Sequence, residues 1–122
     1  MTKGDKLNRL RIAQNSLCAG CGRPIASRKR YRRTHPNAQS FDHVVPRAAG
    51  GTRSILNGLL KHVRCNVERG SRAASGCDVI WHFAVLGRLG YMRRDQSPLI
   101  VNHSTDSRVF QYYMIRPRVA RP

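Results

Sequence analysis

Residues 41–72 read FDHVVPRAAGGTRSILNGLLKHVRCNVERGSR, and this stretch decides the fold. Phe41 to Val45 is short and rich in β-formers, and Pro46, which has no N–H to give to a ladder, ends it. Ala49-Gly50-Gly51-Thr52 is a turn. Leu59 and Leu60 fall on a second short strand. From Val63 to about Arg72 a helix fits, with Gly70 available as its C-terminal stop. Strand, glycine turn, strand and helix in succession make an α+β unit.

Upstream, residues 5 to 17 (DKLNRLRIAQNSL) place Leu7, Leu10, Ala13 and Leu17 on one stripe, with Ile12 beside it. This predicts a short amphipathic helix, N-capped by Asp5 and ending near Cys18. CAGCGRP is loop chemistry, and residues 26 to 40 are polar, basic and without periodicity. Downstream, Asp78 to Met92 predicts another helix, with Val79, Ile80, Phe83, Leu86 and Gly87 on its packed face. VFQYYMI (109–115) predicts a strand, and RPRVARP (116–122) a basic tail. There is no internal repeat. The expected division is a core over 1–75 and a C-terminal helical extension with its tail over 76–122. The extension either joins the same compact domain or serves as a DNA-binding or oligomerisation appendage.

The chain has 122 residues, a size for one domain. Lysine plus arginine number 23 against 6 aspartate plus glutamate, a formal net charge of +17, with a pI near 11.5. Such a field excludes an acidic nucleic-acid mimic, disfavours cationic partners, and is of no use to an enzyme acting on small neutral substrates. It calls for a polyanion, and nucleic acid is the commonest. The apolar share is 40%, so the core is thin and gains from a staple. No N-terminal apolar run resembles a signal peptide and no stretch has the length of a membrane span. The expected setting is therefore cytoplasmic, without membrane contact, where closely spaced cysteines point to metal rather than disulfide.

Cys18-x-x-Cys21, followed by Gly22, and His62-x-x-Cys65 have the same spacing. A two-residue gap lets two side chains bind one ion from a tight turn, so the two pairs supply the four ligands of a tetrahedral Cys₃His zinc site. Gly22 relieves backbone crowding there. Zinc would tie the N-terminal helix to the middle of the chain and stabilise a marginal core. Cys77 can replace His62 in a Cys₄ variant. Otherwise it is read as a small buried residue near a helix start.

Asp42-His43 ends the first strand, and Asn57 and Cys65-Asn66 follow. Asp42 and Asn66 offer hard oxygen donors that suit magnesium or manganese. His43, with an ordinary pKa near 6.5, can accept a proton from water at neutral pH. Adjacent strand residues point to opposite faces. For Asp42 and His43 to serve one site, the strand must be distorted at its end or the phosphate must sit at its edge. Taken alone, the two residues are better read as a salt-bridged aspartate and a partly exposed histidine.

The segment 41–72 as a whole resembles the HNH motif of the ββα-metal (His-Me finger) endonucleases. The resemblance is carried by Asp42-His43, the Pro46 turn, Gly50-Gly51, Asn57, Cys65-Asn66 and Arg69-Gly70, with the CAGCG knuckle usual in zinc-containing members. It covers roughly residues 5 to 72. It implies a ββα-metal HNH core with structural zinc, flanked here by N- and C-terminal helices. It also implies a metal-dependent endonuclease that hydrolyses DNA phosphodiester bonds, by nicking or double-strand cutting. By that resemblance His43 is the general base, Asp42 and Asn66 hold one divalent metal (Mg²⁺ or Mn²⁺), and Asn57 braces the loop between the strands. Cys18, Cys21, His62 and Cys65 then hold the structural zinc. Asn66 stands where some members have histidine, which favours a magnesium-type site. His62, four residues before Asn66, is an alternative catalytic ligand. Small members of this kind resemble phage or mobile-element nucleases, so a homodimer or a phage packaging or replication partner is an expected associate.

Arg28, Lys29, Arg30, Arg32 and Arg33 cluster around Tyr31, with Lys3, Lys6, Arg9 and Arg11 upstream. Arg47, Arg53, Lys61, Arg64, Arg69 and Arg72 surround the motif. As a set they read as a DNA-binding surface, with phosphate contacts dominating affinity, and Tyr31 is placed to stack on a base or to shield the loop. His35, His82 and His103 are assigned to turns, structure and loops rather than catalysis. The alternative class is a non-catalytic, zinc-containing DNA- or RNA-binding module, which would have no need of the Asp42, His43 and Asn66 set.

Overall fold

The computed structural model describes residues 1–91. The strand expected over 109–115, the basic tail, His103 and the end of the second long helix at Met92 lie outside the described residues. Five elements follow in order: α1 (Lys3–Ala13), β1 (Gln39–His43), β2 (Gly58–His62), α2 (Val63–Arg69) and α3 (Gly76–Arg88). Two single 3₁₀ turns, Arg47–Ala49 and Ile55–Asn57, lie between the strands. β1 and β2 pair antiparallel from Gln39 opposite His62 to His43 opposite Gly58. Directly opposed residues share a face. Phe41, His43 and Leu60 therefore lie on one side of the hairpin, and Ser40, Asp42, Leu59 and Lys61 on the other.

The helices start at caps the sequence carries. Thr2, not Asp5, caps α1: its hydroxyl accepts from the Asp5 amide, and Asp5 answers by accepting from the Thr2 amide, a capping box. Asn15 and Ser16 adopt φ of 52° and 59°, which ends α1 well before Cys18. Leu7, Leu10 and Ala13 are buried as the stripe requires, while Ile12 is 70% exposed. Ser75 and Asp78 form the same box on α3. That helix buries Val79, His82, Val85 and Leu86, and leaves Ile80 62% exposed. Counting in threes and fours from Val79 reaches residues 82 and 86 and passes over 80, which rotates the packed face away from the one expected. α3 shares one apolar core with α1 and the hairpin, where Leu10, Val44, Leu59, Leu60, Val85 and Leu86 meet.

β1 begins at Gln39 and leaves the ladder after His43. Val44 and Val45 turn inward instead, Val44 N–H donating to the Asn57 carbonyl at 2.8 Å. The outer edge of β2 is closed without a third strand. The Gln14 carboxamide pairs with both main-chain groups of Leu60 (2.9 and 2.8 Å), and the Ala19 amide donates to the same carbonyl at 3.0 Å. This satisfies an edge that would otherwise be open.

Candidate functional site

The two short-spaced pairs meet at the far end of the hairpin from His43. The ligand atoms of Cys18, Cys21, His62 and Cys65 all lie within 4.8 Å of one another. His62 Nδ1 is 3.4 Å from Cys21 Sγ and 3.9 Å from Cys65 Sγ. Tetrahedral zinc with ordinary bonds holds its ligand atoms roughly 3.6–3.8 Å apart, so the set fits the ion. The outer groups fit as well. His62 Nε2 lies 3.1 Å from the Pro24 carbonyl, which places the ring proton there and leaves Nδ1 bare toward the sulfurs. The amides of Gly20 and His62 donate to Cys18 Sγ at 3.2 and 3.3 Å. Burial and the neighbouring Cys18 and Cys21 push the Cys65 thiol up to about 12, a crowding of sulfurs that a cation relieves. A Cβ on Gly20 would stand 2.8 Å from Cys65 Cβ. Gly20, and not only Gly22, is therefore what lets the knuckle close. Cys77 is outside this cluster and exposed rather than buried.

His43 is half-buried at the opposite end, in a groove of about 410 Å³ lined by Lys3, Lys6, Phe41, Arg47 and Arg53. The Phe41 ring meets the imidazole edge-on, centroids 4.9 Å apart. It lies over Gly58, where a Cβ would stand 2.3 Å from the ring, so only glycine admits it. Burial, then the positive charge of Arg47, holds the His43 pKa below its ordinary value. The imidazole is thus neutral at pH 7 and able to take a proton. Asn57, fully buried, supports the chain just beyond. Its carboxamide accepts from Val45 N–H at 2.8 Å and donates to the carbonyls of Val45 (3.0 Å) and Thr52 (2.8 Å). That clips both ends of the connection between the strands.

Asp42 faces the other way, as strand alternation requires; the ladder is regular through His43. Its carboxylate is 3% exposed. Oδ2 meets Lys61 Nζ at 2.8 Å and Arg69 Nη1 at 2.9 Å, and Oδ1 accepts from Arg69 Nη1 at 3.0 Å. Lys61 also meets Asp78 at 2.7 Å. Asn66, half-buried on α2, donates through Nδ2 to Ser40 Oγ and the Phe41 carbonyl, both at 3.2 Å. The donor set assigned to a divalent cation does not fit one as arranged, because both oxygens of its only carboxylate are held by cations.

Residues 18–72 match the family model described as HNH endonuclease. This segment is an HNH domain. No curated protein matches the chain. HNH domains act on nucleic acids, and this one presents the charge to do so. Arg28, Lys29, Arg30, Arg32, Arg33 and Arg47 are exposed. Tyr31 stacks on His35 with centroids 4.3 Å apart, so one face of its ring is already covered and the basic loop has an internal support.

Two cations expected on the surface of the HNH domain are inside it. Lys61 is 2% and Arg69 7% exposed. The Arg69 guanidinium is engaged by Asp42 and by the carbonyls of His43 (2.8 Å), Val44 (2.6 Å) and Arg72 (2.9 Å), inside the domain rather than on the basic surface where it was expected. Asp78, expected only as the start of a helix, is a member of this charge cluster. Its signal was the shortage of acids: with six in the chain, an acid in a packed helix beside buried apolar residues needs a cation partner. His82 is fully buried, Nε2 lying 2.7 Å from the Leu56 carbonyl, a structural placement as expected. Among the described residues no helix is long and apolar enough to cross a membrane.

Proposed function

We propose that the chain is an endonuclease that hydrolyses DNA phosphodiester bonds, with His43 as the base that takes the proton of the attacking water. The observation that carries this reading is the groove around His43. It holds a neutral imidazole, half open to solvent, inside a ring of four cations from two different parts of the chain. Lys3, Lys6, Arg47 and Arg53 would hold the phosphates of a strand and offset charge developing on the phosphoryl group. Asn57 fixes the loop that presents the imidazole. Zinc at Cys18, Cys21, His62 and Cys65 would be structural, since four protein ligands leave no open position.

The test is a supercoiled-plasmid assay in Mg²⁺ and in Mn²⁺, with His43→Ala alongside. Nicked circles from the wild type, and none from a variant that still retards the plasmid, are the expected result; loss of one general base typically costs about 10²–10⁴ in rate. A wild type that binds the plasmid and never cuts it supports the second reading, a nucleic-acid-binding module without cleavage. The withdrawal of Asp42 into ion pairs is the observation that favours that alternative. A cleaving His43→Ala would remove the base assignment.

A further inference from the structure

On the Asp42 face of the hairpin four charges form a closed set. Asp42 comes from β1, Lys61 from β2, Arg69 from α2 and Asp78 from α3. Lys61 bridges the two aspartates at 2.8 and 2.7 Å, and Arg69 reaches the same two at 2.9 and 3.8 Å. Every side chain is 7% exposed or less. Two positive and two negative charges sum to zero, so the cluster has no net negative charge with which to draw in a cation.

We propose that Asp42 is a built-in counter-ion rather than a cation ligand in the free protein, the place a divalent ion would take beside it being filled by the Lys61 ammonium and the Arg69 guanidinium. Three observations carry this. Both Asp42 oxygens already have cationic partners, whereas a magnesium-type ion needs oxygens free to approach at about 2.1 Å. A dication brought to Asp42 would stand beside two buried cations with few water dipoles to screen it. Displacing Lys61 and Arg69 would leave two charges uncompensated in the interior, the costly way to break a buried pair. Arg69 links this cluster to the rest of the domain, since the same guanidinium holds the carbonyls of His43 and Val44. Asp42 thereby fastens the end of β1 and α2 together. The inference rests on the charge cluster and not on the reading of His43.

The experiment uses the full chain with its zinc, and neither readout depends on cleavage. In the first, Mn²⁺ is added to the ¹⁵N-labelled wild type and paramagnetic line broadening is mapped. The expected result is no broadening centred on residues 41–44 and 66–69 below about millimolar Mn²⁺. Broadening centred there at substoichiometric Mn²⁺ overturns the proposal. In the second, Asp42→Asn is melted with and without Mg²⁺. The expected result is a fall in Tm of about 10 °C or more, or outright failure to fold, while added Mg²⁺ leaves the wild-type Tm unchanged. A variant melting within about 2 °C of the wild type, or a wild type that Mg²⁺ stabilises and Asp42→Asn renders indifferent to it, overturns the proposal.

Discussion

Asp42 and His43 are covalent neighbours, yet they live in opposite electrostatic surroundings. Asp42 sits in a buried, neutral, fully paired cluster. His43 sits half open in a groove with Lys3, Lys6, Arg47 and Arg53. One step along a strand separates a place where charge is used to hold elements together from a groove whose described lining carries four cations and no carboxylate. The difference comes from the pleat, which sends successive side chains to opposite faces. It teaches that a dipeptide motif names two residues without saying that they share a site.

The largest expected effect tests what both faces stand on. His62 ends β2 and is the N-cap of α2, so a metal held by Cys18, Cys21, His62 and Cys65 would join the hairpin to the helix, and its loss would remove that joint. Structural zinc contributes on the order of 10 kcal/mol. Chelation, or Cys18→Ser, is expected to abolish the cooperative melt seen by circular dichroism, and metal analysis to find about one zinc per chain. A cooperative melt in zinc-free protein would mean that the two faces hold without the knot.

Next comes the direct contrast. Asp42→Asn leaves Lys61 and Arg69 under-compensated and is expected to cost about 3–5 kcal/mol in denaturant melts. His43→Ala removes a half-buried ring and is expected to cost about 1 kcal/mol, while abolishing nicking. Equal stability losses for the two variants would erase the distinction drawn between the faces.

A third measurement asks whether α3, which brings Asp78 to the closed side, is bound to the connection between the strands. Burial pushes the His82 pKa down to about 4 from 6.5, and its ring meets the Leu56 carbonyl. The folded chain refuses a proton that the unfolded chain accepts. This contribution is therefore complete above about pH 6.5 and lost as pH falls toward 4, by roughly 3 kcal/mol. The expected outcome is a stability difference between wild type and His82→Gln that shrinks by that amount over this range, acid effects on the cysteine cluster cancelling between them. A difference independent of pH would show His82 to be accessible.

The smallest effect concerns the open side. Arg47→Ala is expected to reduce the slope of log affinity for DNA against log salt by about 0.9, one phosphate contact. Arg69→Lys, inside the domain, is expected to leave that slope unchanged, read by fluorescence anisotropy over a salt series. A matching drop for Arg69→Lys would place Arg69 on DNA after all.

The cysteine cluster was legible because a metal site is a local contract: two residues at a two-residue gap, twice, specify four ligands whatever the fold between them. The hairpin was legible from Pro46, Gly50-Gly51 and the Leu59-Leu60 run, although its first strand is displaced toward Gln39 because Val44 and Val45 are drawn into the core. The capping boxes were half legible. Asp5 marks the start of α1 in the sequence, but Thr2 does the capping and Asp5 answers it from the first turn. Arg69 and Lys61 were misread because charge on a basic chain looks like surface, and only the register shows that Lys61 shares a face with Asp42.

By itself the sequence determined the class of the molecule, its basic field, the two Cys/His pairs that form the cluster and the order of strand, strand and helix, all of which depend on residues close together or on composition. Tertiary structure alone decided which cations hold Asp42. They are Lys61, across the hairpin, and Arg69, one helix away, both of which also meet Asp78 from α3. A buried charge takes whichever partners the fold delivers, and no local pattern announces them.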